Sequence, residues 1–472
     1  MNNPLQSARV TVTLDGQTVE FFPKPQTEPT MPQPHDARRT VYVSLDGDDQ
    51  NDSAAPDRAV KTLAKAFSMI GNHTRVLLRR GDVFQINTPL PVRQKNVLVT
   101  HFGDPLQSKP TLSWAGSMAF ACMIEIQPAA SDITLDGLAF DSLVPAPAFD
   151  QRGMSDAVRL AGGSRISILR CTFMNIATAI NGNGNPAEVL VHECDASNPT
   201  GLRGYFAWVQ GRDWTFTRNR AVNSTREHII RVGGGDQINI IDNDFTNLDR
   251  RNSTSDPDPF DAAKNVLTIQ KGSRAIVRGN KITGNVSVGP LGGNDGLSDR
   301  NARWSQAVIE ENQIDGQIHV HHGASEVTIR NNTIRANSRV AISIEGDNTQ
   351  FARSTRDTRI EGNVVRNADA HGNLLRVGPG ATGIKLIGNR YDAPNLETGA
   401  WASALVYVDG IDLSAFDEIR DNTWPATVKT LPFARGGVFY VWPTWADPKG
   451  YITLAQWNAM PKVADDRVAD AS

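Results

Sequence analysis

Three of the chain's nine histidines lie within four positions of the segment QIHVHHG, residues 317–323. An imidazole is the side chain best suited to take up or release a proton near neutral pH. The apolar Ile318 and Val320 flank His319, an alternation typical of a strand with one buried face. His319 and His321 are therefore predicted to point outward on one face, about 7 Å apart. In that position either imidazole could serve as a general base.

A short unit repeats along the chain from about residue 75, and it predicts the element that carries these histidines. The unit is apolar-x-apolar-x-x-Asn-x-apolar, as in INIIDNDF and VTIRNNTI, with a second short strand before it. One position of the unit is filled in turn by Leu138, Cys171, Cys194, Asn219, Asn243, Asn280, Asn312, Asn332, Asn363, Asn389 and Asn422. Asparagine tolerates the left-handed conformation of a tight bend, and its amide can bond to the asparagine one coil away. The pattern predicts a parallel β-helix with three short strands per coil and one continuous core.

Segments of a different kind precede this repeat. RVTVTLDGQTVEFF, residues 9–22, predicts a β-hairpin that turns at Asp15 and Gly16. Five prolines follow and predict an extended linker. Apolar residues at helical spacing then favour a helix over residues 57–70, capped by Asp57 and ended by Gly71. Such a helix would cover one end of the solenoid.

The predicted segments divide the chain into four parts. They are a hairpin (1–22), a proline-rich linker (23–40), a parallel β-helix with its capping helix (41–430), and a C-terminal cap and tail (431–472). In the last part Thr453 and Gln456 have capping-box spacing. Covering both ends of a β-helix hides strand edges that would otherwise be unpaired.

Composition excludes several classes of partner. The 472 residues include 48 Lys and Arg against 51 Asp and Glu, a net charge of −3, which gives no reason to expect nucleic acid. No apolar run approaches the ~20 residues that span a bilayer, so no membrane insertion is expected. The opening MNNPLQSARV lacks the basic and apolar regions of a secretory signal. Three cysteines are too few for a disulfide framework, and Cys171 and Cys194 are expected to pack as hydrophobes.

The segment YVSLDGDDQNDSAAPDRAVKTLAKA, followed by the asparagine repeat, resembles β-helical proteins of the pectate-lyase superfamily. The resemblance covers roughly residues 40–425. It implies an all-β fold, a single-stranded right-handed parallel β-helix with an N-terminal capping helix and a capped C-terminal tail. It also implies an acidic polysaccharide as partner and an extracellular or cell-surface location, and it leaves monomer and trimer both open. Because this fold hosts many chemistries, function has to be argued from the site.

The same outward position on successive coils defines a column of side chains. It runs Glu125, Arg159, Asn181, Trp208, Arg231, Thr268, Ser287, His319, Ser343, Arg376 and Tyr407. A neighbouring column runs Gln127, Ala161, Asn183, Gln210, Gly233, Gln270, Gly289, His321, Glu345, Gly378 and Asp409. With coils about 4.8 Å apart, His321 is expected beside Glu345, and the face from Trp208 to Arg376 extends about 30 Å. It offers an aromatic plate for a sugar ring, arginines for carboxylates and amides for hydroxyls.

These columns, together with the resemblance, predict a polysaccharide lyase that cuts a uronate-containing glycan by β-elimination. In the predicted mechanism His319 or His321 removes the C5 proton and Glu345 positions the imidazole. Arg231 or Arg376 binds the carboxylate, which lowers the barrier to proton removal. The predicted substrate-binding residues are Trp208, Gln210, Tyr205, His228, Gln270 and Lys271, of which Tyr205 or His228 could protonate the leaving oxygen. A glycoside hydrolase on the same fold and a non-catalytic carbohydrate-binding or surface-structural β-helix stay open as alternatives.

Metal binding has one candidate site. The loop segment SDPDPFD supplies Asp256, Asp258 and Asp261, oxygen ligands of the kind that calcium takes. The segment has a faint resemblance to the Asp-Pro-His-Asp motif of mannuronan epimerases, with proline in place of the histidine. A rigid acidic loop without a metal is the alternative, and no other cofactor is implied.

Overall fold

The computed structural model describes most of the chain. The described residues are 10–14, 17–21, 37–116, 122–141, 156–197, 205–222, 227–247, 265–289, 304–345, 355–370, 372–395, 406–409, 415–425, 439–442, 451–452 and 454–469. The predicted metal ligands Asp256, Asp258 and Asp261 lie outside them. So do Thr453, the hairpin residues Asp15 and Gly16, and most of the proline-rich linker.

Parallel strands stack coil upon coil into three sheets. Sheet 1, which carries the histidine segment, contains Leu90–Val92, Cys122–Ile126, Asp156–Leu160, Thr178–Asn181, Leu267–Ile269, Val286–Val288, Ile318–Val320, Val340–Ile344, Asn373–Val377, Val406–Asp409 and Phe439–Trp442. Sheet 2 contains Arg39–Val43, Thr74–Arg79, Lys95–Phe102, Ser131–Asp136, Ser164–Leu169, Ala187–His192, Gly272–Arg278, Trp304–Glu310, Ala324–Arg330, Arg356–Glu361, Ile384–Ile387, Phe416–Arg420 and Val463–Ala464. The long strands Tyr205–Thr217 and Ile230–Ile241 run through both sheets and join them.

Sheet 3 completes each coil. Its strands are Val83–Ile86, Thr111–Trp114, Ala139–Asp141, Thr172–Met174, Asp195–Ser197, Arg220–Val222, Asp244–Thr246, Lys281–Thr283, Gln313–Asp315, Thr333–Ala336, Val364–Asn367, Arg390–Asp392, Thr423–Trp424 and Arg467–Val468. Parallel pairing therefore continues beyond residue 430. The division of the chain into four segments stays a prediction.

A few elements differ from the parallel strands of the three sheets. Val10–Leu14 and Gln17–Phe21 pair antiparallel, which confirms the predicted hairpin. The helical elements are the 3₁₀-helix Pro56–Arg58 and the α-helices Leu63–Ser68 and Leu454–Asn458, and the strand Tyr451–Ile452 pairs antiparallel with Phe439–Trp442. No helix in the described part of the chain is long and apolar enough to cross a membrane.

The first α-helix differs from its prediction in length and in its cap. It spans Leu63–Ser68 rather than residues 57–70, and the side chain of Thr62, not of Asp57, accepts a hydrogen bond from the first-turn N–H of Lys65. Asp49 reinforces this cap, because its carboxylate accepts bonds from the backbone N–H and the hydroxyl of Thr62. A carboxylate 13 residues earlier in the chain therefore helps to set the helix start. The helix buries Leu63 and Phe67 in the solenoid core.

The predicted asparagine ladder is confirmed. From Asn219 to Asn389, the backbone N–H and the side-chain amide of each member both donate to the Oδ1 of the next, at 2.9–3.0 Å. Each side-chain amide also donates to a backbone carbonyl of the previous coil, as Asn332 does to Ile309 at 2.9 Å. Cys171 and Cys194 hold earlier positions of the ladder as buried free thiols, and the Cys194 thiol donates to the corresponding carbonyl, that of Ile168. Every ladder member thus satisfies a buried polar group that the turn would otherwise leave unpaired.

The left-handed residue of this turn is not the asparagine, contrary to the prediction. Positive φ belongs to the residue before each ladder member, such as Arg218 (54°), Glu311 (57°) and Asn331 (54°). The ladder asparagine is selected for its amide bonds, and the bend itself is made by its neighbour.

Asp466 ends the ladder. Its Oδ1 accepts the backbone and side-chain amides of Asn422, at 2.8 and 3.0 Å. Its Oδ2 accepts the indole N–H groups of Trp424 and Trp457, at 3.0 and 3.1 Å. Burial raises the pKa of Asp466, and these hydrogen bonds oppose the rise. The last amide of the ladder and two buried indoles therefore share one carboxylate.

Candidate functional site

The predicted register of the outward column is confirmed along its whole length, but Asn181, Thr268, Ser287 and Tyr407 in it are buried. Consecutive members are direct register partners on neighbouring strands of sheet 1, from Glu125 through Arg231 and His319 to Tyr407. The residues on either side of His319, Ile318 and Val320, are fully buried in the core. We call this column the strip.

The neighbouring column departs from the prediction at two coils. The N–H of Gly184, not of Asn183, donates to the carbonyl of Leu160. Gln210 pairs with Gly234 rather than Gly233, because a bulge after Val209 absorbs one residue. Elsewhere the backbone bonds fit the predicted order, since the N–H of His321 donates to Val288 and that of Glu345 to Val320. His321 therefore lies one coil from Glu345, as expected.

Five residues form what we call the histidine cluster: Gln317, His319, His321, His322 and Glu345. The imidazoles of His319 and His321 stack with ring centres 5.7 Å apart and planes 15° from parallel. Nδ1 of His321 lies 2.8 Å from Oε2 of Glu345, and Nε2 of His322 lies 3.2 Å from the same oxygen. Glu345 thus holds two imidazoles, and His319 is held by another residue.

That other residue is Gln317, whose Oε1 lies 2.7 Å from Nε2 of His319. The Gln317 amide nitrogen donates to the hydroxyl of Ser338, which in turn donates to the carbonyl of Val340 at 3.0 Å. Because these bonds leave Oε1 of Gln317 as an acceptor, Nε2 of His319 must carry the proton. The free lone pair of neutral His319 is therefore on Nδ1.

His319 is also kept neutral by its surroundings. Burial lowers its pKa, and the nearby positive charge of His321 lowers it further, so that the value falls from 6.5 to about 4 despite the opposing charge of Glu345. At neutral pH the ring has an unprotonated nitrogen. Gln317 and Ser338 were not predicted to take part, although Gln317 shares the outward face of the strand with His319 and could have been found by alternation.

His321 is less open than the prediction required. Only 8% of the residue is exposed, and its Nε2 is buried without a hydrogen-bond partner in the described part of the chain. Burial raises the pKa of Glu345, but the hydrogen bond from His321 and the charges of all three histidines outweigh burial, so its pKa is lowered. Glu345 is therefore an ionised acceptor for His321. His319, which is half-buried, has the more accessible ring.

A second group, which we call the arginine–tryptophan cluster, consists of Tyr205, Trp208, Arg231 and Gln270. The guanidinium carbon of Arg231 lies 5.0 Å from the centre of the Trp208 ring. Nε of Arg231 donates to Oε1 of Gln270 at 3.0 Å, and Nη1 donates to the Tyr205 hydroxyl at 3.3 Å. The cation–π contact and the two hydrogen bonds hold the guanidinium in one orientation.

The two predicted proton donors are buried against side chains of the strip. Tyr205 is 1% exposed and His228 is 3% exposed. Burial is the largest cause that raises the pKa of Tyr205, and the charge of Glu227 adds to it. Nδ1 of His228 contacts the Thr268 hydroxyl at 2.7 Å and the carbonyl of Asn265 at 3.0 Å. Both side chains therefore pack against strip residues and have little exposed surface to meet a polymer.

The structure separates the predicted arginines from the histidines. Arg231 is three coils from His319 along the strip, and Arg376 is two coils away on the other side. The guanidinium carbon of exposed Arg376 lies 5.7 Å from the centre of the Tyr407 ring, on the coil farther from His319. The predicted catalytic set thus divides into the histidine cluster and one arginine–aromatic pair on each side of it.

The remaining predicted residues lie around these groups. Gln210 is half-buried, and its carbonyl accepts the indole N–H of Trp214 at 2.9 Å. Lys271 is half-buried and directly follows Gln270, next to the arginine–tryptophan cluster. Both are close to the strip without joining the histidine cluster.

An acidic group that was not predicted ends the strip beyond Trp208. Asp156 is 1% exposed and accepts bonds from Arg159 and from the side-chain amide of Asn181, each at 2.9 Å. Glu125 lies 3.9 Å from the same guanidinium. Two carboxylates therefore lie around the guanidinium of Arg159 at this end of the strip. Among the residues that the structure describes, no group of three or more His, Cys, Asp and Glu side chains could hold a metal.

Comparison with known proteins shows the fold. No family model matches the chain, and no curated protein matches its sequence. A PL6 alginate lyase in complex with a trisaccharide matches with a TM-score of 0.51 and 13% identity, over 87% of this chain and 93% of that one. The GH136 lacto-N-biosidase from Eubacterium ramulus matches with a TM-score of 0.50 and 14% identity, over 76% and 68%. The fold is a right-handed parallel β-helix. In this β-helix the strip follows one sheet lengthwise, with the histidine cluster between the two arginine–aromatic pairs.

Proposed function

We propose that the protein is a polysaccharide-active enzyme that cleaves a uronate-containing glycan by β-elimination. The observation that carries the proposal is the arrangement of His319, a neutral imidazole whose tautomer is set by Gln317. It stacks on His321, which is in turn bound to the carboxylate of Glu345. Two β-helical neighbours of this chain are named as carbohydrate-active enzymes, which supports a glycan as the substrate class.

In the proposed reaction Nδ1 of His319 takes the C5 proton of a uronate. The electron pair of the C5–H bond becomes the C4–C5 double bond, and the C4–O bond breaks. The leaving oxygen takes a proton from solvent water and becomes the hydroxyl of the departing chain, and His319 then releases the C5 proton to solvent. A substrate carboxylate next to His319 raises the pKa of this imidazole, because a negative charge favours the protonated ring. The base therefore becomes stronger when the substrate is bound.

The parts of the histidine cluster have separate roles in this mechanism. Gln317 directs the lone pair of His319, and Glu345 directs the ring of His321. Burial, with the charge of His321 adding to it, lowers the pKa of His319 and keeps this ring unprotonated before substrate binds. Arg231 and Arg376 are too far along the strip to hold the carboxylate of the sugar that reacts at His319, so they are left out of the chemical step.

A second candidate is carbohydrate binding without cleavage. Its support is the burial of Nε2 of His321 and the distance of both arginine–aromatic pairs from His319. A purely binding strip needs aromatic rings and hydrogen-bond donors along its length and requires no base.

The test is incubation of the purified protein with a panel of uronate polymers and neutral glycans. β-Elimination makes one conjugated double bond, seen by ultraviolet absorbance, for each new reducing end. We expect His319→Gln to lower kcat by about a hundredfold or more, the usual contribution of a general base. His192→Gln, on sheet 2, is the matched control and should keep full activity.

Other outcomes of this test identify the alternatives. New reducing ends without double bonds would indicate hydrolysis. Binding to one polymer without new ends would indicate the binding function. Full turnover by His319→Gln would remove this imidazole from the mechanism.

A further inference from the structure

One corner of the solenoid, between sheets 2 and 3, carries an enlarged loop. On the next coil the two residues Gly137 and Leu138 join these sheets, whereas here residues 103–110 do so. Leu106 in this loop is 91% exposed, the most exposed large apolar side chain in the described part of the chain. Because single exposed apolar residues are common on proteins, the surroundings of Leu106 decide whether it marks a contact.

The loop is tied to coils on both sides of it. Within the loop the side chain of Asp104 accepts the backbone N–H of Leu106 at 2.9 Å. Arg80, on the previous coil, donates from Nε to a loop carbonyl at 3.0 Å. Lys109 donates from Nζ to the carbonyl of Arg170, two coils farther along, at 2.7 Å. A leucine held in one place in this way loses little conformational entropy when a partner covers it.

Two more exposed apolar residues lie at the same corner on the preceding coils. The backbone N–H of Leu45 donates to Asp82 at 2.8 Å, and Val83 directly follows Asp82. Val83 is also the register partner of Thr111, the residue that follows the loop. Leu45 is 38% exposed and Val83 is 45% exposed. With Leu106, three of the five exposed large apolar side chains in the described residues therefore lie on three consecutive coils, and such a group is typical of an interaction surface.

Charges of opposite sign flank these apolar residues along the solenoid. Toward the N-terminal end, residues 46–57 include five aspartates and no lysine or arginine. Arginines pair with two of them, and exposed Asp48 accepts a backbone N–H at 2.9 Å. On the other side, Arg80 contacts a loop carbonyl and the imidazole of His101, and Lys109 contacts a carbonyl and a hydroxyl. These two cations are thus held by groups that do not cancel their charge.

We propose that this corner is an interface between two copies of the chain, related by a two-fold axis that crosses the solenoid at the apolar residues. In a two-fold interface the same surface meets itself, so a group on one side of the axis meets the group on the other side. The acidic segment 46–57 of one copy then faces Arg80 and Lys109 of the second, and the apolar residues pack in the middle. The strip lies on sheet 1, which does not border this corner, so the dimer does not depend on the proposed function.

The presence of both signs of charge favours a second copy over an anionic partner. Arg80 and Lys109 alone would suit an anionic lipid surface, but the aspartates of segment 46–57 at the same corner would be repelled by it. A self-complementary surface uses both groups at once.

The test is sedimentation velocity of the full chain from about 1 to about 200 µM, a range that covers the affinities of weak interfaces. We expect a monomer–dimer equilibrium that weakens as salt rises. Leu106→Ser should raise the dimer Kd about a hundredfold, because the axis uses this leucine twice and burying one leucine is worth about tenfold or more. Val364→Ser, at an apolar residue 46% exposed farther along sheet 3, is the matched control and should dimerise like the native protein.

The charges are tested by exchange. Asp48→Lys and Lys109→Glu should each raise the dimer Kd about tenfold, and the double variant, which restores opposite charges, should return to within about threefold of the native value.

A monomer over the whole concentration range, a trimer, or a dimer that Leu106→Ser leaves intact would overturn the proposal. So would a monomer that binds vesicles of equal parts phosphatidylcholine and phosphatidylserine and loses this binding in Leu106→Ser, since the corner would then be a membrane contact.

Discussion

Replacing His321 by glutamine is expected to shift the titration of His319. Burial and the charge of His321 together lower the pKa of His319 from 6.5 to about 4. The variant removes the charge and keeps the burial, so the pKa should rise from about 4 but stay below 6.5. His319 needs its unprotonated form to accept the C5 proton. The acid limb of kcat/KM, near pH 4 in the native protein, should therefore move upward in His321→Gln.

The same shift affects folding. A pKa of about 4 in the folded state, against 6.5 for an ordinary histidine, corresponds to ~3 kcal/mol. Because the folded pKa is the lower one, this stability is fully present above pH 6.5 and is lost as the pH falls from 6.5 toward 4. Between pH 6.5 and pH 4 the free energy of unfolding of the native protein should fall by up to ~3 kcal/mol more than that of His319→Gln. The fall for His321→Gln should be intermediate.

The direct measurement is histidine NMR, with the His319 resonance assigned from its absence in His319→Gln. Urea denaturation at about pH 7.5 and about pH 4 gives the stability difference. His73→Asn, which removes a histidine far from the cluster, should leave both quantities unchanged. A native His319 resonance that titrates at 6.5 or above, or one that His321→Gln does not move, would refute the account of the cluster.

Two further predictions concern the ladder that holds the coils in register. Asn332→Ala should lower the free energy of unfolding by about 3–4 kcal/mol, since this side chain takes part in four hydrogen bonds worth about 1 kcal/mol each. The control Asn331→Gly, at an exposed neighbour with φ of 54°, should change the free energy of unfolding little. Equal losses for the two variants in urea denaturation would contradict the role of the ladder. Asp466→Asn, although isosteric, should lower the free energy of unfolding by about 2–4 kcal/mol. An amide cannot accept both the Asn422 hydrogen bonds and the two indole N–H groups that Asp466 accepts. Tryptophan fluorescence during denaturation checks this, and a variant as stable as the native protein would show that the carboxylate is not needed.

Much of the strip could be predicted because one rule governs all of it. In a stack of parallel coils, side chains alternate along each strand, and each strand is in register with the next. These two regularities fix the position of every outward residue. His319, Arg231 and Tyr407 were therefore assigned to one column from their apolar neighbours alone. The exceptions lie in the neighbouring column, at Asn183 and at Gly233, where consecutive glycines allow a bulge that alternation cannot reveal.

The predictions of local detail that were wrong concern residues whose partners are distant in the chain. Thr62 begins the helix with support from Asp49, 13 residues away, and no spacing rule points to that bond. Side-chain directions were also not predictable. Arg231 turns toward Trp208 and Tyr205, and Gln317 turns toward His319, because neighbours on other coils favour those rotamers.

The sequence by itself determined the solenoid, its asparagine ladder and the order of residues along the outer face, because these follow from a repeat that each coil imposes on the next. The tertiary structure alone decided which of those residues meet. It put the lone pair of His319 on Nδ1, through Gln317, and placed each arginine over an aromatic ring away from the histidines. Such contacts depend on rotamers, burial and charge at distances of a few ångströms, which a repeat pattern does not encode.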